Sequence, residues 1–67
     1  MTTDPALTET RVTRRTSYRG QKITVVLRDG GMAIGTLRGW GDRMIQMNTE
    51  QGYREVATST YSAVFAA

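Results

Sequence analysis

The residues with the most chemistry in this chain are its arginines. Eight basic residues fall in the segment 10–43 (Arg11, Arg14, Arg15, Arg19, Lys22, Arg28, Arg38, Arg43) against two acidic ones, Asp29 and Asp42, a net +6; the rest of the 67 residues carries −3, with Arg54 set against Asp4, Glu9, Glu50 and Glu55. Seven of the eight are arginine, whose planar guanidinium binds phosphate bidentately and stacks on bases, so the segment points to a polyanionic partner more than the overall +3 does. A solvated surface with ordinary charge variation is the plain alternative.

Other chemistries lack their residues. With neither Cys nor His, the chain has no disulfide framework, no zinc site of the thiolate–imidazole type and no Cys- or His-based nucleophilic site. Asp29 and Asp42 sit in expected turns, where Asp is explained by local bonding rather than by general acid–base work. No helix is expected after Gly30, Gly31, Gly35 or Gly39, so these glycines are turn and bend residues rather than a phosphate-binding loop. No enzyme, no cofactor and no metal are expected. The lack of a long apolar run or a secretory signal leads to an expectation of a soluble cytoplasmic protein with no membrane partner.

The elements that must position the arginines are short strands. Ile23, Val25 and Leu27 alternate with Thr24, Val26 and Arg28, the pattern of a half-buried strand, and Asp29-Gly30-Gly31 is a hairpin turn. A second strand spans residues 32–40, with Gly35 and Gly39 permitting a sharp bend or close backbone approach. Gly41-Asp42-Arg43 is a second turn, residues 44–48 a third strand, and residues 49–52 a third turn. Residues 53–57 form a fourth strand centred on Val56, Thr58-Ser59-Thr60 a polar break, and residues 61–65 a last strand. Five strands without room for crossover helices make an antiparallel sheet, which in so short a chain must curl to hide its apolar face. The expected fold is therefore all-β: a small, five-stranded, strongly bent antiparallel barrel over residues 20–67.

Residues 1–19 are expected to be a basic arm, flexible or briefly helical from Asp4-Pro5 to about residue 14. Met32, Met44 and Met47 are expected to fill core or interface; Trp40 and Tyr53 can serve as stacking platforms, but core volume favours their burial. A domain of this size buries only about 60% of its unfolded surface, so without disulfide or metal it is expected to gain stability by self-association.

The stretch "GQKITVVLRDGGMAIGTLRGWGDRMIQMN", residues 20–48, resembles the first motif of the Sm and Sm-like proteins, which include the bacterial RNA chaperone Hfq. The pattern is carried by Leu27, Asp29, Gly30, Gly35, Leu37 and Trp40, in register without a gap; "REVATSTYSAVFA", near the end, resembles the closing Hfq segment more loosely. The resemblance implies an Sm-like (SH3-like) barrel in a homo-oligomeric ring of about five to seven subunits, a hexamer favoured, with the fourth strand of one copy pairing with the fifth of the next. It also implies single-stranded RNA as partner. Candidate RNA-binding residues are then Trp40, Asp42, Arg43, Thr58 and Ser59, with Arg11, Arg14 and Arg15 on the arm; candidate interface residues are Val56, Tyr61, Ala63, Val64 and Phe65; Asp29, Gly30 and Gly35 are structural.

The chain departs from the family where bases are bound. Gly41 stands where the family usually has Asp, Ile45 where Sm proteins have a base-contacting Asn, Arg43 where Hfq has a stacking aromatic, and Thr58-Ser59 where Hfq has Lys-His. These departures favour the first rival reading, an SH3-like barrel acting as a protein-interaction or structural module. The second rival is duplex DNA binding, with Arg11, Arg14 and Arg15 in a groove.

Overall fold

A computed structural model describes residues 11–67. They form five strands, β1 (Lys22–Leu27), β2 (Met32–Trp40), β3 (Met44–Thr49), β4 (Gly52–Ala57) and β5 (Tyr61–Ala66), in one antiparallel sheet of order β4-β3-β2-β1-β5. The all-β antiparallel expectation holds, and no helix among the described residues is long and apolar enough to cross a membrane.

Turn chemistry fixes the hairpins. Between β1 and β2 the Gly30 amide donates to the Leu27 carbonyl at 3.1 Å, and Gly30 takes a φ of 95°, which a side chain would disfavour. The Asp29 carboxylate accepts from the Gly31 amide at 2.8 Å, so this Asp closes the turn from its side chain. Between β3 and β4 the Thr49 hydroxyl accepts from the Gln51 amide at 3.1 Å and donates to the Gly52 carbonyl at 2.9 Å.

The connection between β4 and β5 shows that the sheet is strongly curved. These strands are its two edges, four strand spacings apart, or about 19 Å in a flat sheet. Only residues 58–60 join Ala57 to Tyr61, and four chain steps span at most about 14 Å. The sheet must therefore curl until the ends of β4 and β5 approach. Gly35 permits the curl, because β2 and β3 come so close there that a Cβ would lie 2.0 Å from the Asn48 carbonyl oxygen. A bulge follows: Leu37 pairs with Met47 but Gly39 with Gln46, leaving Arg38 as the extra residue. This shift of one residue turns Trp40, opposite buried Ile45, toward the core.

The concave side holds Ile23, Val25, Ala33, Leu37, Ile45, Met47, Val56 and Val64, and no polar side chain is buried among the described residues. The ninth buried residue, Val12, comes from outside the expected barrel. Its amide donates to the Val64 carbonyl at 2.8 Å, and Arg11 bridges Phe65. The basic arm is thus corrected in its described part: residues 11–12 extend along the free edge of β5 and contribute to the core, and Arg11 is not helical. The expected helix at residues 4–10 lies outside the described residues.

Three side-chain expectations are also corrected. Tyr53 is 52% exposed: it lies three residues from buried Val56, hence on the opposite face of β4. Met32 is exposed because its neighbour Ala33 takes the inward position, which removes it from the core and leaves the interface half of that expectation. Of the candidate interface residues, Val56 and Val64 are spent in the chain's own core, which leaves half-buried Tyr61, Ala63 and Phe65 to offer apolar surface.

Candidate nucleic-acid interface

Curvature brings the β4–β5 connection against the β2–β3 turn and against the end of β1. The Gly41 amide donates to the Met44 carbonyl at 2.9 Å, closing the β2–β3 turn. The Thr58 amide then donates to the Arg43 carbonyl at 2.9 Å, and the Thr58 hydroxyl to the Asp42 carbonyl at 3.4 Å. In the β4–β5 turn, the Thr60 amide and hydroxyl both donate to the Ala57 carbonyl, while the Thr60 carbonyl accepts from the Arg28 amide at 2.9 Å. Residues 58–60 therefore tie the β2–β3 turn to the β1–β2 turn.

The chain from Val12 reaches the β2–β3 turn as well. Residues 13–17 form a compact turn in which the Thr16 and Ser17 amides donate to the Thr13 carbonyl, the Thr13 amide donates to the Thr16 hydroxyl, and the Ser17 hydroxyl donates to the Arg14 carbonyl. Held by this turn, Arg14 forms an ion pair with Asp42, both side chains largely exposed. An exposed pair of this kind contributes about 0–1 kcal/mol. An incoming phosphate can therefore compete with Asp42 for the guanidinium at little cost.

Asp42, Arg43, Thr58, Ser59 and Arg14 are thus brought together, with Arg28, which sequence reasoning did not single out, anchored beside them through its amide. Arg15 is exposed on the 13–17 turn. Arg11 is not part of the cluster, since its bridge to Phe65 places it toward the other end of β5. Trp40 lies directly before the β2–β3 turn and is half-buried, its ring edge-on to Tyr61 with centroids 6.2 Å apart. It supports the turn from the core side rather than presenting an open stacking face.

A second group of exposed polar side chains lies on the convex face, around Arg38 and Tyr53. The Tyr53 hydroxyl donates to the Glu55 carboxylate at 2.8 Å, and this bond, with the negative charge beside it, holds the Tyr53 pKa above its ordinary value, while the Arg38 guanidinium pulls the other way. The sequence signal for this group is the parity of β4, set by Val56.

Compared with protein-family models, with curated proteins and with solved structures, the chain matches none.

Proposed function

We propose that this chain is a non-catalytic, Sm-like RNA-binding protein that acts as a homo-oligomeric ring, taking single-stranded RNA at the end where residues 41–43, 58–60 and Arg14 meet. The observation that carries this reading is the bond from the Thr58 amide to the Arg43 carbonyl, which sets the two turns side by side with exposed Arg14 and Arg43 flanking them. In chemical terms the cluster offers guanidinium groups for phosphate and for base planes, together with hydroxyls at Thr58 and Ser59. Each copy supplies only a weak patch. A ring raises the effective concentration of successive patches along one strand.

Assembly is favoured by the small core, with nine buried apolar residues among those described, and by the edge of β4, which no described strand covers. The edge of β5 is taken at Val64 by Val12, so pairing with a neighbour's β4 exchanges one strand partner for another. The functional test is fluorescence anisotropy with labelled oligo-A, oligo-U and oligo-C over a salt series. Binding is expected to weaken with salt by about 0.7 in log K per log salt for each phosphate neutralised. Arg43→Ala is expected to change the ranking among the three strands, since base contacts carry selectivity. If no strand binds at low salt, RNA recognition is refuted and the protein-interaction reading replaces it.

A further inference from the structure

Arg38, the extra residue of the β2 bulge, reaches across β3 and sets its guanidinium 5.7 Å from the centre of the Tyr53 ring. Bulges of this kind re-aim side chains at functional sites. The ring is held a second time by the bond from its hydroxyl to Glu55 at 2.8 Å, so an exposed aromatic is fixed in place without being buried.

Two neighbours complete the group. Gly20, with a φ of 90°, donates its amide to the Leu37 carbonyl at 2.8 Å, which anchors Arg19 beside Arg38. Gln46 lies flat over Gly39, its side-chain oxygen 2.9 Å from where a Cβ would stand, so the absence of a side chain at Gly39 seats the Gln46 amide. Arg19, Arg38, Gln46 and Tyr53 line an open depression of about 490 Å³. Among the described residues the ion pair is Arg14–Asp42, and neither Arg19 nor Arg38 has a carboxylate partner there. Two adjacent guanidinium groups suit an anion, and a fixed aromatic with a side-chain amide suits a base.

We propose that this depression is a second contact for single-stranded nucleic acid, in which Arg19 and Arg38 take a phosphate while a base stacks against the Tyr53–Arg38 pair and meets the Gln46 amide. The site rests on the reading of the chain as a single-strand binder and adds to it a face separate from the turn cluster. A strand bound at both is held by stacking on the sheet and by charge at the turns.

The test uses the full chain and a single strand of about ten nucleotides carrying photoreactive iodouridine, within the usual site size for such surfaces. Irradiation followed by peptide mass mapping is expected to place an adduct at Tyr53. Tyr53→Leu is expected to weaken binding by about five-fold to a hundred-fold, the range for loss of one stacked base. The double variant Arg19→Ala, Arg38→Ala is expected to lower the salt slope by about 0.7 for each phosphate that the two arginines neutralise. Circular dichroism checks that the variants remain folded, as expected for exposed side chains.

If Arg43→Ala weakens binding but both convex-face variants bind like wild type and Tyr53 carries no adduct, this second site is refuted while the turn-end reading stands. If the wild-type chain binds no strand, both fall. If a poly-glutamate peptide binds and the double arginine variant abolishes that binding without affecting RNA, the depression is a protein-docking site and the proposal is overturned.

Discussion

Replacing Gly35 by alanine tests whether the close approach of β2 and β3 holds the fold together. The added Cβ would stand 2.0 Å from the Asn48 carbonyl oxygen and 2.9 Å from its carbonyl carbon, where carbon–oxygen contacts are ordinarily at least about 3.3 Å. The obstruction is backbone, so no side-chain rotation relieves it; β3 must move by more than about 1 Å at the pairs Gly35–Thr49 and Thr36–Asn48. Overpacking of this kind costs about 1–3 kcal/mol, and each broken ladder hydrogen bond adds about 1 kcal/mol. The reduced unfolded-state freedom of Ala relative to Gly returns only about 0.4–1 kcal/mol. The net expectation is about 3 kcal/mol, against a total stability of about 3–10 kcal/mol for a chain of this length. In thermal unfolding followed by Trp40 fluorescence, the midpoint should fall by roughly 12–24 °C, and Gly35→Val should leave no soluble fold. Gly39→Ala is the control: its Cβ would meet only the movable end of Gln46. A Gly35→Ala protein that melts within a degree or two of wild type would refute the close-approach argument.

Other perturbations test the site and the edges. Asp42→Asn releases Arg14 from its ion pair and should strengthen RNA binding at low salt by up to about five-fold, the worth of an exposed pair, with the gain vanishing at high salt; unchanged affinity by anisotropy would show that Arg14 makes no contact. Glu55→Gln should lower the pH at which Tyr53 ionises, since the carboxylate holds the phenol protonated; absorbance titration of wild type and variant, with Tyr53→Phe to assign the signal, reads the direction. Removing residues 1–12 uncovers the β5 edge at Val64 and should move self-association to lower concentration in light scattering, whereas a purely monomeric truncated chain would speak against edge exchange.

Much of the sheet is legible in the sequence because its signals are local. The alternation from Ile23 to Leu27 sets β1, Asp29-Gly30 sets the first turn, and Gly35 marks the bend through the absence of a side chain. What is not legible depends on partners distant in the chain. Arg11 and Val12 carry a single apolar residue in a polar run, and only the free edge of β5 gives them a place. Gly39 marks an irregularity in β2, but the bulge at Arg38, which turns Trp40 inward and aims Arg38 at Tyr53, is fixed only by how β2 and β3 pair. The exposure of Tyr53 is readable from its spacing to Val56, but the need of a small core for its aromatics points the other way, and here the strand parity wins. At the turn end, residues 41–43 and 58–59 stand out only through a family resemblance; the ion pair from Arg14 and the anchoring of Arg28 need the fold.

The most direct test of the ring-forming, RNA-binding account is the mass of the native assembly with and without a short single-stranded RNA. The account predicts a multiple of 7.4 kDa, about five to seven copies, that gains the mass of bound RNA. A 7.4 kDa monomer that is unchanged by RNA at micromolar concentration would contradict it.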